Sequence, residues 1–161
     1  MRPHLYAVLG FFVAMLVATS ATADRIRPIK VALKKTPAGY NVTVGRKKIQ
    51  VVGVASRLAW QSPLYHPVTV TTAAGVTETT VIEGADGIVE VQHRFDSADG
   101  RTSRRGRYDF VGEEPDMADE QIRSYTAKGR QKDVWREGLF VRGELKQVRI
   151  LTMHLGKTIA K

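Results

Sequence analysis

The chain has no cysteine. That excludes disulfide staples, thiolate metal sites and thiol catalysis together, so stability rests on packing and backbone hydrogen bonds. Histidine is scarce after the first residues: His66, His93 and His154 stand far apart, with no His-x-His or H-E-x-x-H spacing. Zinc sites in small domains bring paired ligands close in sequence, and this chain offers none, so no metal or other cofactor is expected. It also lacks a G-x-S-x-G elbow and a phosphate-binding G-x-x-x-x-G-K loop. The expectation is a protein that is not an enzyme. A carboxylate pair such as Glu113-Glu114 reads more simply as the acidic start of a helix.

Long apolar runs are missing after the N-terminus. There, MRPHLY precedes twelve nearly uniform apolar residues, AVLGFFVAMLVA, and TSATA places small residues at Ala21 and Ala23. This is the layout of a secretory signal peptide over residues 1–23 cleaved after Ala23, too short an apolar run for a comfortable membrane span. The expected remainder is one β-rich domain, residues 24–161, secreted and free of the membrane after cleavage.

Acid is scarce in two of three segments. The whole chain carries +9. From Asp24 to Arg57 nine basic residues face one acid; from Leu58 to Gly100 one arginine faces six acids; from Arg101 onward fourteen basic residues face nine acids. Such a balance attracts anionic surfaces without specifying one, so charge alone admits an anionic polymer or nucleic acid as partner.

What is present is short apolar–polar alternation broken by turn residues. Ile29, Val31 and Leu33 alternate with Lys30, Ala32 and Lys34, TPAG at Thr36–Gly39 turns, and Tyr40, Val42 and Val44 return. AAG at Ala73–Gly75, GADG at Gly84–Gly87 and SADG at Ser97–Gly100 mark further hairpins, since Asp-Gly supplies both a local side-chain acceptor and a residue tolerant of positive φ. Val89, Val91, His93 and Phe95 fall on one strand face. In EEPDMADEQIRSYTAKGR, Pro115 near the start, early acids, late cations and an apolar stripe of Ala118, Ile122 and Tyr125 predict a helix over residues 115–128. The predicted fold is mainly β: a β-sandwich or open barrel of about 8–10 strands with that one short helix.

Two basic runs are candidate partner-binding surfaces. In RTSRRGRYDF, Arg101, Arg104, Arg105 and Arg107 precede Tyr108 and Phe110, and alternation puts both rings on the face opposite Arg105 and Arg107. Rings on the buried side do not stack on a ligand held by the wet side, which favours a solvated strand over a base-stacking nucleic-acid site. Arg104-Arg105 also has the look of a dibasic processing site. The second run joins Lys34 and Lys35 with Arg46, Lys47 and Lys48 on adjacent hairpin strands, where they form one expected patch or a self-contact with the acidic middle segment. Asn41-Val42-Thr43 is a glycosylation sequon on the outward side, with Asn41 the only asparagine.

The leader MRPHLYAVLGFFVAMLVATSATA, followed by a motif-poor basic chain from Asp24, resembles the small secreted effectors of biotrophic plant-pathogenic fungi. The R-x-L-R motif of oomycete effectors is absent: RIRP at Arg25–Pro28 and SRLAW at Ser56–Trp60 both depart from it. The resemblance implies a secreted non-enzymatic virulence protein, carried into host cells in some cases, that binds a host protein to suppress defence. Two alternatives stand beside it: a bacterial periplasmic or extracellular β-domain that binds a protein or anionic polymer, and a secreted nucleic-acid-binding or ribonuclease-like protein.

Overall fold

The computed structural model describes residues 28–52 and 63–157. The expected leader, its cleavage at Ala23 and the SRLAW segment lie outside the described residues. Ten strands follow one another: β1 (Val31–Thr36), β2 (Gly39–Val44), β3 (Lys47–Val52), β4 (Leu64–Thr72), β5 (Gly75–Glu83), β6 (Ile88–Ser97), β7 (Thr102–Val111), β8 (Glu114–Tyr125), β9 (Arg130–Val141) and β10 (Glu144–Lys157). They form two antiparallel meanders, a three-stranded sheet in the order β1-β2-β3 and a seven-stranded sheet running from β10 to β4. Neither closes into a barrel, and no helix occurs among the described residues.

Turn chemistry explains much of the meander. Thr36-Pro37-Ala38-Gly39 and Thr72-Ala73-Ala74-Gly75 are matching two-residue connections, each ending on a glycine at φ 143°. A Cβ at Gly39 would stand 2.0 Å from the Val51 carbonyl oxygen, and one at Gly75 would stand 2.1 Å from that of Asp96. Only glycine fits either place. In the two Ala-Asp-Gly turns the aspartate works as expected: Asp86 accepts from the Ile88 N–H at 3.1 Å, and Asp99 from the Arg101 N–H at 3.0 Å.

The predicted helix over 115–128 is instead β8. Its start is a hairpin turn at Gly112, where φ is 65°, and Pro115 sits beside a bulge at Asp109/Phe110, where a missing N–H is tolerated. Glu113 belongs to that turn and accepts the Lys35 backbone N–H at 2.9 Å, so the acid pair does not open a helix. Alternation in β8 is disguised because Glu120 occupies an inward position between Ala118 and Ile122. Its inward partners are polar, and propensity yields to them.

The core lies between the sheets. Leu33, Val42, Ile49, Tyr40 and Val51 on the inner face of the small sheet meet Val81, Val91, Tyr108, Phe110, Ala118 and Phe140 on the large one. Ile29, just ahead of β1, packs over Gly138, where an added Cβ would meet its Cδ1 at 2.9 Å. Gly106 leaves room in the same way for the Tyr108 phenol. The expected placement of Tyr108 and Phe110 on one face is borne out, at 2% and 1% exposure. His93 is buried on the face it shares with Val91, whereas His154, whose setting in LTMHL reads as core or core-edge, is exposed on the edge strand β10.

Candidate binding cleft on the seven-stranded sheet

Cross-strand register and the connections sort the basic residues into five places. Arg105 and Arg107 project from the face of β7 opposite the core. Pairing carries the Arg105 row from Glu78 through Arg94, Arg105, Gln121 and Trp135 to Leu151, and the Arg107 row from Thr80 through Gln92, Arg107, Asp119 and Glu137 to Arg149. These two rows floor an open cleft of about 730 Å³. That volume is within the range of ligand sites.

Arg104 is on the core-side face, directly across from Phe95 on β6. There it meets Lys47, whose Nζ lies 4.0 Å from the Phe95 ring centre and 3.4 Å from Thr77 Oγ1. Burial, then the Arg104 charge, lowers the Lys47 pKa. Two residues from separate sequence runs are thus brought together. Their neighbours are not: Lys34 and Lys48 fall on the outer face of the small sheet, Lys35 turns inward to Glu83 at 3.6 Å, and Arg46 and Arg101 stand in connections. The single expected patch of Lys34, Lys35, Arg46, Lys47 and Lys48 is therefore divided, because alternation sends successive side chains to opposite faces. The expected self-contact with the acidic segment is realised by Lys35 alone. Asn41 is exposed on the outer face.

Within the cleft the charges are unevenly answered. Arg107 bridges Glu90 at 3.0 Å and Asp109 at 3.5 Å, and burial raises the Asp109 pKa against the opposing pull of Arg107. Arg94 holds Asp96 at 2.6 Å and approaches Glu78 at 4.0 Å. Glu137 approaches Arg149 at 3.9 Å. Arg105 and Asp119 have no ion pair among the described residues. Arg105 stands directly opposite Arg94, and Asp119 directly opposite Glu137. Like charges in direct cross-strand contact destabilise a sheet.

The outward charges of the lining cancel, with Arg94, Arg105 and Arg107 against Glu78, Asp119 and Glu137. A groove for a polyanion needs a net positive floor. This one instead sets a basic half on β6 and β7 beside an acidic half on β8 and β9, with the half-exposed Trp135 indole at the Arg105 row. Sequence reading found Arg105 and Arg107 but missed Arg94, Asp119, Glu137 and Trp135. Their membership depends on register across four strands, which no local pattern carries.

A second polar cluster joins the sheets. The Tyr40 hydroxyl donates to Glu83, His66 Nε2 lies 3.4 Å from the same carboxylate, and the Tyr40 and His66 rings meet edge to face at 5.4 Å. The Tyr40 hydrogen bond, Lys35 and His66 outweigh burial and hold the Glu83 carboxyl below its usual range, while burial and Glu83 push the Tyr40 phenol up. With Tyr40 on the small sheet and Glu83 and His66 on the large one, the cluster ties the two sheets together as a strut. Compared with known proteins, the chain matches no family model, no curated protein and no solved structure.

Proposed function

We propose that this is a non-catalytic binding protein, exported by its leader, that docks a polypeptide partner across the charged cleft of the seven-stranded sheet. One observation carries the reading: two charges of opposite sign, Arg105 and Asp119, stand unanswered on adjacent rows of a cleft whose total charge is zero. A partner with both signs at its surface answers both, as a protein does and a polyanion does not. Trp135 supplies the rigid aromatic surface that anchors such contacts. The setting that fits this chemistry is the one the leader suggests, a secreted effector-like protein acting on a host protein. A bacterial export route would use the same cleft. The outer face of the small sheet, with Lys34 and Lys48 and no carboxylate on that face, supports a weaker second reading, attraction to an anionic polymer.

The test is site-specific photo-crosslinking from the full-length chain, with the crosslinker at Gln121 in the cleft or at Gln50 on the outer face. With nuclease present and salt at physiological strength, a discrete protein adduct is expected from Gln121 only, lost on Arg105→Glu and on Asp119→Lys. Adducts of equal intensity from both positions, or adducts indifferent to both substitutions, overturn the reading. Capture of nucleic acid that fades with salt overturns it in favour of generic charge attraction.

A further inference from the structure

The core-side face of the large sheet has an unsolved charge problem of its own. Around the centre of the covered part the inward polar groups are paired: Thr79 Oγ1 and His93 Nδ1 hydrogen-bond at 3.0 Å, the Tyr108 hydroxyl donates to Glu120 at 2.9 Å, and Arg136 Nε donates to the other Glu120 oxygen at 2.8 Å. One row further out the pattern stops. Lys47, at the terminal inner row of the small sheet beside Val44 and Val31, reaches across to Thr77 and Phe95. Arg104 is the direct cross-strand neighbour of Phe95, which places its Cβ about 5 Å from that of Phe95. Both cations lack an ion pair among the described residues, and the one side-chain carboxylate outside them is Asp24. Glu120, the acid on the neighbouring inward row, is already committed to Tyr108 and Arg136.

We propose that Lys47 and Arg104 hold a dianionic oxyanion, a phosphate or sulfate group, above Phe95 where the small sheet ends. Two unneutralised cations on one side of the chain call for two negative charges, and a monoanion would leave one of them exposed to the other. Arg104 offers a planar fork and Lys47 a point charge, the two donor types that oxyanion sites combine. The Thr77 oxygen accepts from Lys47, which leaves its O–H to donate to the same ligand. Phe95 and the half-buried Ile122 beside Arg104 give the floor an apolar character that strengthens each charge contact. Nothing in the site tracks a polymer backbone, which separates it from non-specific nucleic-acid binding.

His93 reports on this site. Burial first, then the Lys47 and Arg104 charges, with Glu120 opposing, lower its pKa to about 4. An anion between the two cations cancels their share of that shift. The experiment titrates the full-length chain with inorganic phosphate, with sulfate, and with acetate at matched ionic strength, following the His93 imidazole by NMR. At about pH 8, where phosphate is dianionic, the expected result is saturable binding of phosphate and sulfate, with acetate about tenfold weaker or more; sulfate, which stays dianionic in acid, is expected to move the His93 midpoint upward when it fills the site. Lys47→Ala and Arg104→Ala each weaken phosphate by about tenfold or more, Arg104→Lys by less, and Arg105→Ala, on the opposite face, leaves it unchanged. Both residues are exposed, so circular dichroism is expected to show the fold intact in each variant. Equal response to acetate, retention of binding in both alanine variants, or equal loss in Arg105→Ala overturns the assignment. Because the cleft and this site lie on opposite faces, failure here leaves the partner-docking reading untouched, and the converse holds.

Discussion

The two faces of the seven-stranded sheet solve the same problem differently. On the covered face a central polar network is matched inside the molecule: Tyr108 with Glu120, Glu120 with Arg136, His93 with Thr79. On the open face the register sets like against like three times, Arg94 against Arg105, Glu90 against Asp109, and Asp119 against Glu137. Arg107 repairs the second of these by reaching both carboxylates. The first and third keep one unanswered member each. Water lowers the penalty on the open face, whereas burial would multiply it. A stability optimum would still have removed such pairs, and places where a sheet breaks its own local rules are where function is sought.

The sharpest way to break this contrast is to remove a matched charge from the covered face. Glu120→Ala takes the carboxylate away from Arg136, whose side chain is only 16% exposed, and leaves the buried Tyr108 hydroxyl without its acceptor. The expected loss is about 3 kcal/mol in denaturant unfolding, since truncating one partner leaves the other desolvated. Glu120→Gln keeps an acceptor for Tyr108 and loses less. A loss below about 1 kcal/mol for Glu120→Ala would show that the covered face does not depend on its polar network.

Acid sharpens the contrast next. His93 is neutral and buried, with its pKa lowered to about 4 from 6.5, first by burial. In the unfolded chain it takes a proton below its ordinary pKa while the folded chain resists until about pH 4. The unfolded state therefore binds more protons in that window. Stability contributed by neutral His93 is complete above about pH 6.5 and falls progressively down to about pH 4, by roughly 3 kcal/mol. Unfolding curves between those limits check this, and His93→Gln is expected to flatten that part of the profile. A wild-type profile that is no steeper than the variant's would remove His93 from the account. Asp109, whose pKa is raised chiefly by burial, acts in the opposite sense in acid, which is why the difference between the two proteins is the quantity to read.

How legible these features were depended on whether the cause was local. Turn residues speak for themselves: Gly39, Gly75 and both Ala-Asp-Gly turns were readable because one residue's φ or one aspartate's reach decides each. The strand faces carrying Val91, Tyr108 and Phe110 were readable from period two. β8 was not, because Glu120 occupies an inward position that composition assigns outward, and the remaining apolar residues happen to fit a helical stripe. The turn at Arg142-Gly143, with φ of 52° and 74°, was passed over although such a pair suits a tight hairpin. The binding surfaces were half legible. Arg104, Arg105 and Arg107 stand out as a run, but Trp135 joins Arg105 only through the pairing of β7 with β8 and of β8 with β9. Lys47 joins Arg104 only because the small sheet folds over the large one.

The smallest expected effect tests the comparison most finely. Arg105→Thr places a good strand former where an unpaired cation faced Arg94, and it removes no ion pair. Its predicted effect on stability is within about 0.5 kcal/mol, on the stabilising side, because the repulsion with Arg94 disappears. Arg107→Thr, one row away on the same exposed face, is expected to lose up to about 1 kcal/mol, since that guanidinium joins Glu90 and Asp109. Thermal or denaturant unfolding of the pair of variants gives the answer directly. If both behave alike, the open face is simply a solvated surface on which individual charges are interchangeable. If Arg105→Thr gains while Arg107→Thr loses, Arg105 stands in the sheet at a cost that folding does not recover, and a partner that approaches with a carboxylate is what recovers it.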